Sequence, residues 1–165
     1  MLRFAVLTVS DRSYAGIRED LSGPALCKSV VDAGHEVIAT ALVPDEVEKI
    51  KEMLVQWCDL GVVDVILTTG GIGFDPLDVT PEGTQQVVER QAPGLAEAMR
   101  WNSLQITPHA MLSRAIAGIR QQTIIINLPG SPKAAVENLR YIIHVLTHAV
   151  ELLRESNVPD SHHQA

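Results

Sequence analysis

The stretch that most constrains this chain is Leu67-Thr68-Thr69-Gly70-Gly71-Ile72-Gly73-Phe74-Asp75-Pro76-Leu77-Asp78-Val79-Thr80-Pro81-Glu82, an apolar strand that runs into a glycine turn, an aspartate and a helix start. Glycines accept φ > 0 and let the backbone approach a ligand closely. The N–H groups at a following helix N-terminus attract anions through unpaired donors and the helix dipole. The stretch reads as an anion-binding active site. A carboxylate alone would repel a phosphate, so Asp78 makes chemical sense beside one if a cation mediates.

Around this motif, short apolar strands alternate with helical patterns, the signature of an α/β domain with a mainly parallel sheet. Arg3 to Val9 reads as the first strand, and Ser22 as the N-cap of a helix from about Pro24 to Ala33 that Gly34 closes. Glu36 to Val43 is the second strand. Pro44 ends it and Asp45 is placed to cap the next helix, whose apolar face is Ile50, Leu54, Trp57 and Cys58. Val62 to Thr69 is the third strand. Thr80 as N-cap and Pro81 at the first helical position start a helix reaching about Arg90, Pro93-Gly94 breaks it, and Leu95 to Gln105 resumes it. Met111 to Ala117 is the least patterned helical segment. The β-branched run Thr123 to Asn127 is the strongest strand, with Ile116 to Arg120 pairing as an antiparallel hairpin. Ser131 and Pro132 then open a long helix ending near Arg154, which makes 1–154 one domain and 155–165 a flexible polar tail.

At 165 residues, 46% hydrophobic and with two cysteines, the chain holds one well-filled domain. Cys27 and Cys58 lack CxxC spacing and read as buried apolar residues. A net charge of −7 with scattered Lys and Arg argues against nucleic-acid backbone binding, and two Trp, two Tyr and two Phe give little for base stacking. The first ten residues lack a leader pattern, and no apolar run approaches the roughly 20 residues that span a bilayer. A soluble cytoplasmic protein without membrane contact is expected.

Ligands of open parallel sheets sit beyond the carboxyl ends of the strands. Ser10-Asp11, Pro44-Asp45-Glu46, Thr69 to Asp78, and Asn127 to Ser131 each follow an apolar strand there. Singly, each is ordinary turn chemistry, and Asp45 an ordinary cap. Together they point to a site. His144 and His148 share a helix face four residues apart, but no third ligand is evident and a solvated face is the simpler reading, as it is for His162-His163. The charge run Glu46 to Glu52 reads as an exposed helix face with i,i+4 pairs.

Val43-Pro44-Asp45-Glu46, Thr68-Thr69-Gly70-Gly71 with Gly73, Asp78-Val79-Thr80-Pro81-Glu82 and Asn127-Leu128-Pro129-Gly130 resemble, in order, the motifs of the molybdopterin adenylyltransferase family, the MogA and MoaB proteins and the gephyrin G domain. Thr8-Val9-Ser10-Asp11 and Met111-Leu112-Ser113-Arg114 extend the resemblance over nearly the whole chain. It implies a three-layer α/β domain and a homotrimer. It also implies an enzyme of molybdenum cofactor synthesis that uses Mg-ATP to adenylate the molybdopterin phosphate and releases pyrophosphate, with a molybdenum-insertion protein as a further partner. Asp45 and Asp78 match the family's functional aspartates. Asp45 is assigned to Mg²⁺ and ATP positioning and Asp78 to orienting the pterin or its phosphate, two roles that remain interchangeable. Gly70, Gly71 and Gly73 would form the phosphate cradle, Thr69 a hydroxyl donor, and Ser10, Asp11, Asn127, Pro129, Gly130 and Ser131 the remaining lining.

Two departures stand out. Ile72 occupies a place where the family commonly has threonine, and Leu77 one where a basic residue commonly precedes Asp-Val-Thr-Pro, with Asp75 adding negative charge nearby. Both make the loop less attractive to polyphosphate. The alternative to an active enzyme is therefore a non-catalytic or weakly active molybdopterin-binding paralogue.

Overall fold

The computed structural model describes residues 1–155. Six strands, β1 (Arg3–Val9), β2 (Glu36–Val43), β3 (Val65–Thr69), β4 (Arg90–Gln91), β5 (Ala117–Arg120) and β6 (Thr123–Leu128), form one sheet in the order β2-β1-β3-β6-β5-β4. The first four in that order run parallel, whereas at one edge β5 pairs antiparallel with β6 and β4 antiparallel with β5. The hairpin expected between Ile116–Arg120 and Thr123–Asn127 is present, turning through Gln121 at φ 54.

Strand side chains alternate between faces with period two, and both faces of the central strands are apolar. Phe4 and Val6 of β1, Val65 and Leu67 of β3, and Ile124 and Ile126 of β6 face a core shared with α2 (Ser22–Asp32), α5 (Pro93–Leu104) and α6 (Pro132–Glu155). Ala5, Leu7, Ile66 and Ile125 point the other way, against Ile50, Leu54, Trp57 and Cys58 of α3 (Val47–Asp59). The result is a three-layer α/β fold with a mixed, mostly parallel sheet. Each large aliphatic group that is fully buried contributes roughly 1.5–3 kcal/mol of hydrophobic free energy, so the central strands and the helix faces packed on them share the core.

Several local expectations are corrected. Ser22 does not cap α2: it lies inside the helix, and the Asp20 carboxylate accepts the Gly23 N–H at 3.0 Å instead. Asp45 does not cap α3, because its carboxylate is turned toward Asp11. The third strand starts at Val65 rather than Val62, where Asp64 turns back to accept the Arg3 N–H at 2.8 Å. The helix α4 (Thr80–Gln85) stops well short of Arg90. After a turn at 86–87, Arg90–Gln91 form a strand instead, with Glu89 N–H donating to Ile119 at 2.8 Å and Ala92 N–H to Ala117 at 2.9 Å, so pairing with β5 outweighs helix continuation. Met111 to Ala117 is not an α-helix: a 3₁₀ turn spans Pro108–Leu112 and the chain then extends into β5. The ion pairs of the 46–52 run are i,i+3, Lys49 with Glu52 and Lys51 with Glu48. Apart from Glu155, which ends α6, the expected tail, with His162-His163, lies outside the described residues.

Candidate active site

The chain passes from β1 to β2 on one side and returns to place β3 on the other side of β1. This is a topological switch point, where neighbouring connections diverge and open a crevice at the carboxyl ends of the strands. A cleft of about 560 Å³ lies there, lined by Ser10, Asp11, Asp45, Thr69, Gly70, Gly71, Asp78, Gly130 and Ser131 among others. All four strand-end segments reach it.

Gly70 sits where β1, β3 and β6 converge. Its φ is +102°, its N–H donates to Leu128 at 3.1 Å, and a Cβ there would lie 2.3 Å from the Val9 carbonyl oxygen. Gly71 follows at φ +68°, where a Cβ would strike the Thr80 hydroxyl at 2.4 Å. Only glycine serves both positions. Thr80, the first residue of α4, closes the turn: its Oγ1 donates to the Gly70 carbonyl at 2.9 Å and its N–H to the Gly71 carbonyl at 3.1 Å.

Asp11 and Asp45 form a reciprocal bridge, each backbone N–H donating to the other's carboxylate at 2.8 Å. The bridge joins the ends of β1 and β2 and leaves the second Asp45 oxygen, Oδ1, facing Gly71. Burial pushes the Asp45 carboxyl above its ordinary range. The Asp11 N–H opposes this, but the charges of Asp11, Asp78 and Asp75 add to it. A cation would relieve that repulsion, and Asp45 with Asp11 is the donor pair suited to one. Among the described residues there is no cluster of three or more metal-ligating side chains, so a cation here would need oxygens from a bound phosphate, the usual manner of Mg²⁺. Asp78 uses Oδ2 to accept the Gly73 and Asp75 N–H groups, both at 3.1 Å, which fixes its own loop.

Other expected site residues are already engaged by the protein. Thr69 donates its hydroxyl to the Pro129 carbonyl at 2.7 Å. Ser10 caps a single helical turn, α1 (Asp11–Tyr14), accepting the Ser13 N–H at 3.1 Å. Ser131 contacts the Ala134 N–H at 3.5 Å and, with Pro132, brings the start of the 24-residue α6 to the cleft wall. Gly73, Asn127 and Pro129 do not line this cleft. They border a second, mainly apolar cavity of about 280 Å³ between the loop, α5 and α6. Asn127 is fully buried; its Nδ2 donates to the Thr68 and Thr84 hydroxyls, both at 2.9 Å, and its Oδ1 accepts the Ile116 N–H at 3.2 Å.

The departures now have positions. Ile72 is buried against the second cavity, so its replacement of a hydroxyl does not alter the lining of the first cleft. Leu77 is 61% exposed on the cleft wall. Sequence reasoning missed the third wall, the β1–α2 connection. There Arg12 and Arg18 supply the positive charge absent from the glycine loop, and Asp20 accepts the Thr8 hydroxyl at 2.8 Å while holding the start of α2. The signal for Asp20 was an aspartate three residues before Gly23 at the entry to a helix.

Residues 5–148 match a family described as probable molybdopterin binding domain. The chain is 45% identical over 170 residues to gephyrin of Dictyostelium discoideum, covering 95% of this chain and 24% of gephyrin, so it spans about a quarter of that relative's length. It is 38% identical over 159 residues to the molybdopterin adenylyltransferase of Helicobacter pylori, covering 92% of this chain and 88% of the relative. The molybdopterin biosynthesis enzyme MoaB of Thermus thermophilus has the same fold, with a TM-score of 0.87 at 47% identity over 93% of this chain and 96% of that one. The chain therefore belongs to the molybdopterin-binding domain family of molybdenum cofactor biosynthesis, the family of MogA and MoaB.

Proposed function

We propose that this protein is a molybdopterin adenylyltransferase, transferring AMP from Mg-ATP to the phosphate of molybdopterin with release of pyrophosphate. The observation that carries the reading is the pairing of a polar cleft at the switch point with an apolar cavity behind the same glycine loop. The polar cleft, lined by six carboxylates and two arginines, suits a polyphosphate that arrives with a cation, and the apolar cavity suits a flat heterocycle. Its relatives include proteins named molybdopterin adenylyltransferase, which supports the assignment.

A phosphate oxygen of molybdopterin attacks the α-phosphorus of ATP, so two anions must meet while charge develops on the leaving pyrophosphate. Catalysis is then mainly positioning and charge neutralisation. Asp45, with Asp11 beside it, would hold Mg²⁺, which supplies neutralisation of the phosphate oxygens when bound. Arg12 and Arg18 face the same space and attract the polyphosphate. The start of α6 adds oriented N–H groups. Asp78, held by the Gly73 and Asp75 amides, orients the incoming pterin or its phosphate.

Incubation with Mg-ATP and molybdopterin should give adenylated pterin with stoichiometric pyrophosphate, lost in Asp45→Asn and Asp78→Asn. Pterin binding without product would instead favour a holding protein, a reading that exposed Leu77 beside Asp75 supports. A cytoplasmic homotrimer that passes its product to a molybdenum-insertion protein completes the proposal. Exposed Trp101, Ile106, Met111 and Leu112 supply apolar surface for assembly.

A further inference from the structure

Residues 71–78 form the wall between the two cavities, Gly71, Asp75, Leu77 and Asp78 facing one and Ile72 and Gly73 the other. This wall has little apolar anchorage at its tip, where Phe74 is 67% and Leu77 61% exposed. Its shape therefore depends on polar bonds, and one residue makes most of those that come from outside the loop.

Arg114 lies between the 3₁₀ turn and β5. Its Nε donates to the Gly73 carbonyl at 2.7 Å and its Nη2 to the Asp78 carbonyl at 2.7 Å. The same guanidinium grips Glu82 of α4 with both terminal nitrogens, Nη1 to Oε2 at 2.7 Å and Nη2 to Oε1 at 3.0 Å. Its backbone N–H donates to the Ile72 carbonyl at 2.7 Å. One residue thus fixes the loop before, at and after Asp78. Arg114 is itself braced: Arg100 of α5 donates to the Ala115 carbonyl at 2.7 Å and the Ser113 carbonyl at 3.4 Å, the neighbours on either side. Those neighbours, with Arg100, line the apolar cavity.

We propose that Arg114 is a positioning residue for adenylyl transfer, a clasp that sets where the Asp78 carboxylate stands in the polar cleft. The inference rests on the adenylyltransferase reading above. Magnitudes weigh against a purely structural role. The Arg114 and Glu82 side chains are 35% and 45% exposed and lie outside both apolar cores, and exposed ion pairs contribute little to global stability. Loop geometry is another matter, since a misplacement of about 1 Å at a reacting group costs about 100-fold in rate. A planar fork is required, because four contacts in fixed directions are beyond a lysine ammonium.

The test compares the wild-type protein with Arg114→Lys and Arg114→Ala by kcat and KM for ATP, and by amide hydrogen exchange at Gly73, Asp75 and, as a reference in β6, Ile125. In both variants kcat should fall about 100-fold, with KM for ATP changed less than about threefold. Exchange at Gly73 and Asp75 should rise about tenfold as charge-assisted bonds are lost, and Ile125 should not change. Glu82→Ala, which leaves the bonds to the Gly73 and Asp78 carbonyls, should lower kcat less than either. Wild-type kcat in Arg114→Lys, unchanged exchange at Gly73 and Asp75, or equal acceleration at Ile125 would each overturn the clasp. An inactive wild-type protein would overturn the adenylyltransferase reading instead, and the exchange pattern would still decide whether Arg114 orders the loop.

Discussion

Replacing Gly70 by alanine tests whether the convergence of three strand ends defines the cleft. The new Cβ would stand 2.3 Å from the Val9 carbonyl oxygen, and that oxygen belongs to a central strand paired on both sides. Backbone cannot swing aside as a long side chain can. A non-glycine residue at φ +102° costs about 1–3 kcal/mol in backbone strain. Overpacking against fixed atoms adds about 1–3 kcal/mol. The total of about 2–6 kcal/mol is a large part of the 5–15 kcal/mol that usually separates folded from unfolded chains. At about 2–4 °C per kcal/mol for a domain of this size, Tm should fall by about 4–24 °C. Gly34→Ala is the control, since Gly34 has φ +89° but nothing within 4 Å of an added Cβ. It isolates the backbone penalty of about 1–2 kcal/mol. Thermal and urea unfolding of both variants, with m values compared, measures the difference. If Gly70→Ala is no less stable than Gly34→Ala, the close approach of β1 and β3 at this point is refuted.

The two aspartates at opposite ends of the sheet should show opposite pH behaviour. Asp45 has a raised carboxyl pKa, so its contribution to stability is present below the ordinary carboxylate value of 3.8 and is lost as pH rises through the raised value. Asp45→Asn should therefore melt higher than wild type at pH 7, the gain vanishing below about pH 4; equal Tm at both pH values would refute the repulsion. For Asp64 burial pushes the carboxyl up, but the Arg3 N–H and the Arg154 and Arg3 guanidinium groups outweigh it and hold the pKa below the ordinary value. That stability is present above about pH 4 and lost as pH falls through the lowered value, so Asp64→Asn should melt lower at pH 7 and converge with wild type in acid. Asn127→Leu keeps the branching at Cγ but strands the Ile116 N–H and removes the donor to Thr68 and Thr84, at about 1–3 kcal/mol for a buried unpaired group; a Tm unchanged within about 2 °C would exclude a structural role.

The alternation of apolar strands and amphipathic helices was legible because it is written in local periodicity. β1 and β2 were read at their observed bounds, and Ile50, Leu54, Trp57 and Cys58 form the buried face of α3 as their spacing required. The turn chemistry of Gly70-Gly71, Ser131-Pro132 and the antiparallel hairpin was also local. The errors came where a distant partner overrode a local preference. Asp45 prefers a helix cap by its position in sequence, yet it pairs with Asp11, 34 residues away. Glu89 to Gln91 leave the helix because β5 offers them a ladder.

At the candidate site, local patterning was enough to tell which segments end strands, and hence that Ser10-Asp11, Asp45, Gly70-Gly71 and Gly130-Ser131 meet at one edge of a parallel sheet. Tertiary structure alone decided which side of the glycine loop each residue faces. Ile72 and Leu77 are five apart in sequence, yet one is buried at the apolar cavity and the other stands on the cleft wall. It also brought in Arg12, Arg18 and Asp20, and it set Arg114 against a loop more than 30 residues before it. The physical reason is the range of the forces. Hydrophobic periodicity and turn preference act within a few residues, whereas burial, ion pairing and the facing of a loop depend on groups that only the folded chain brings together.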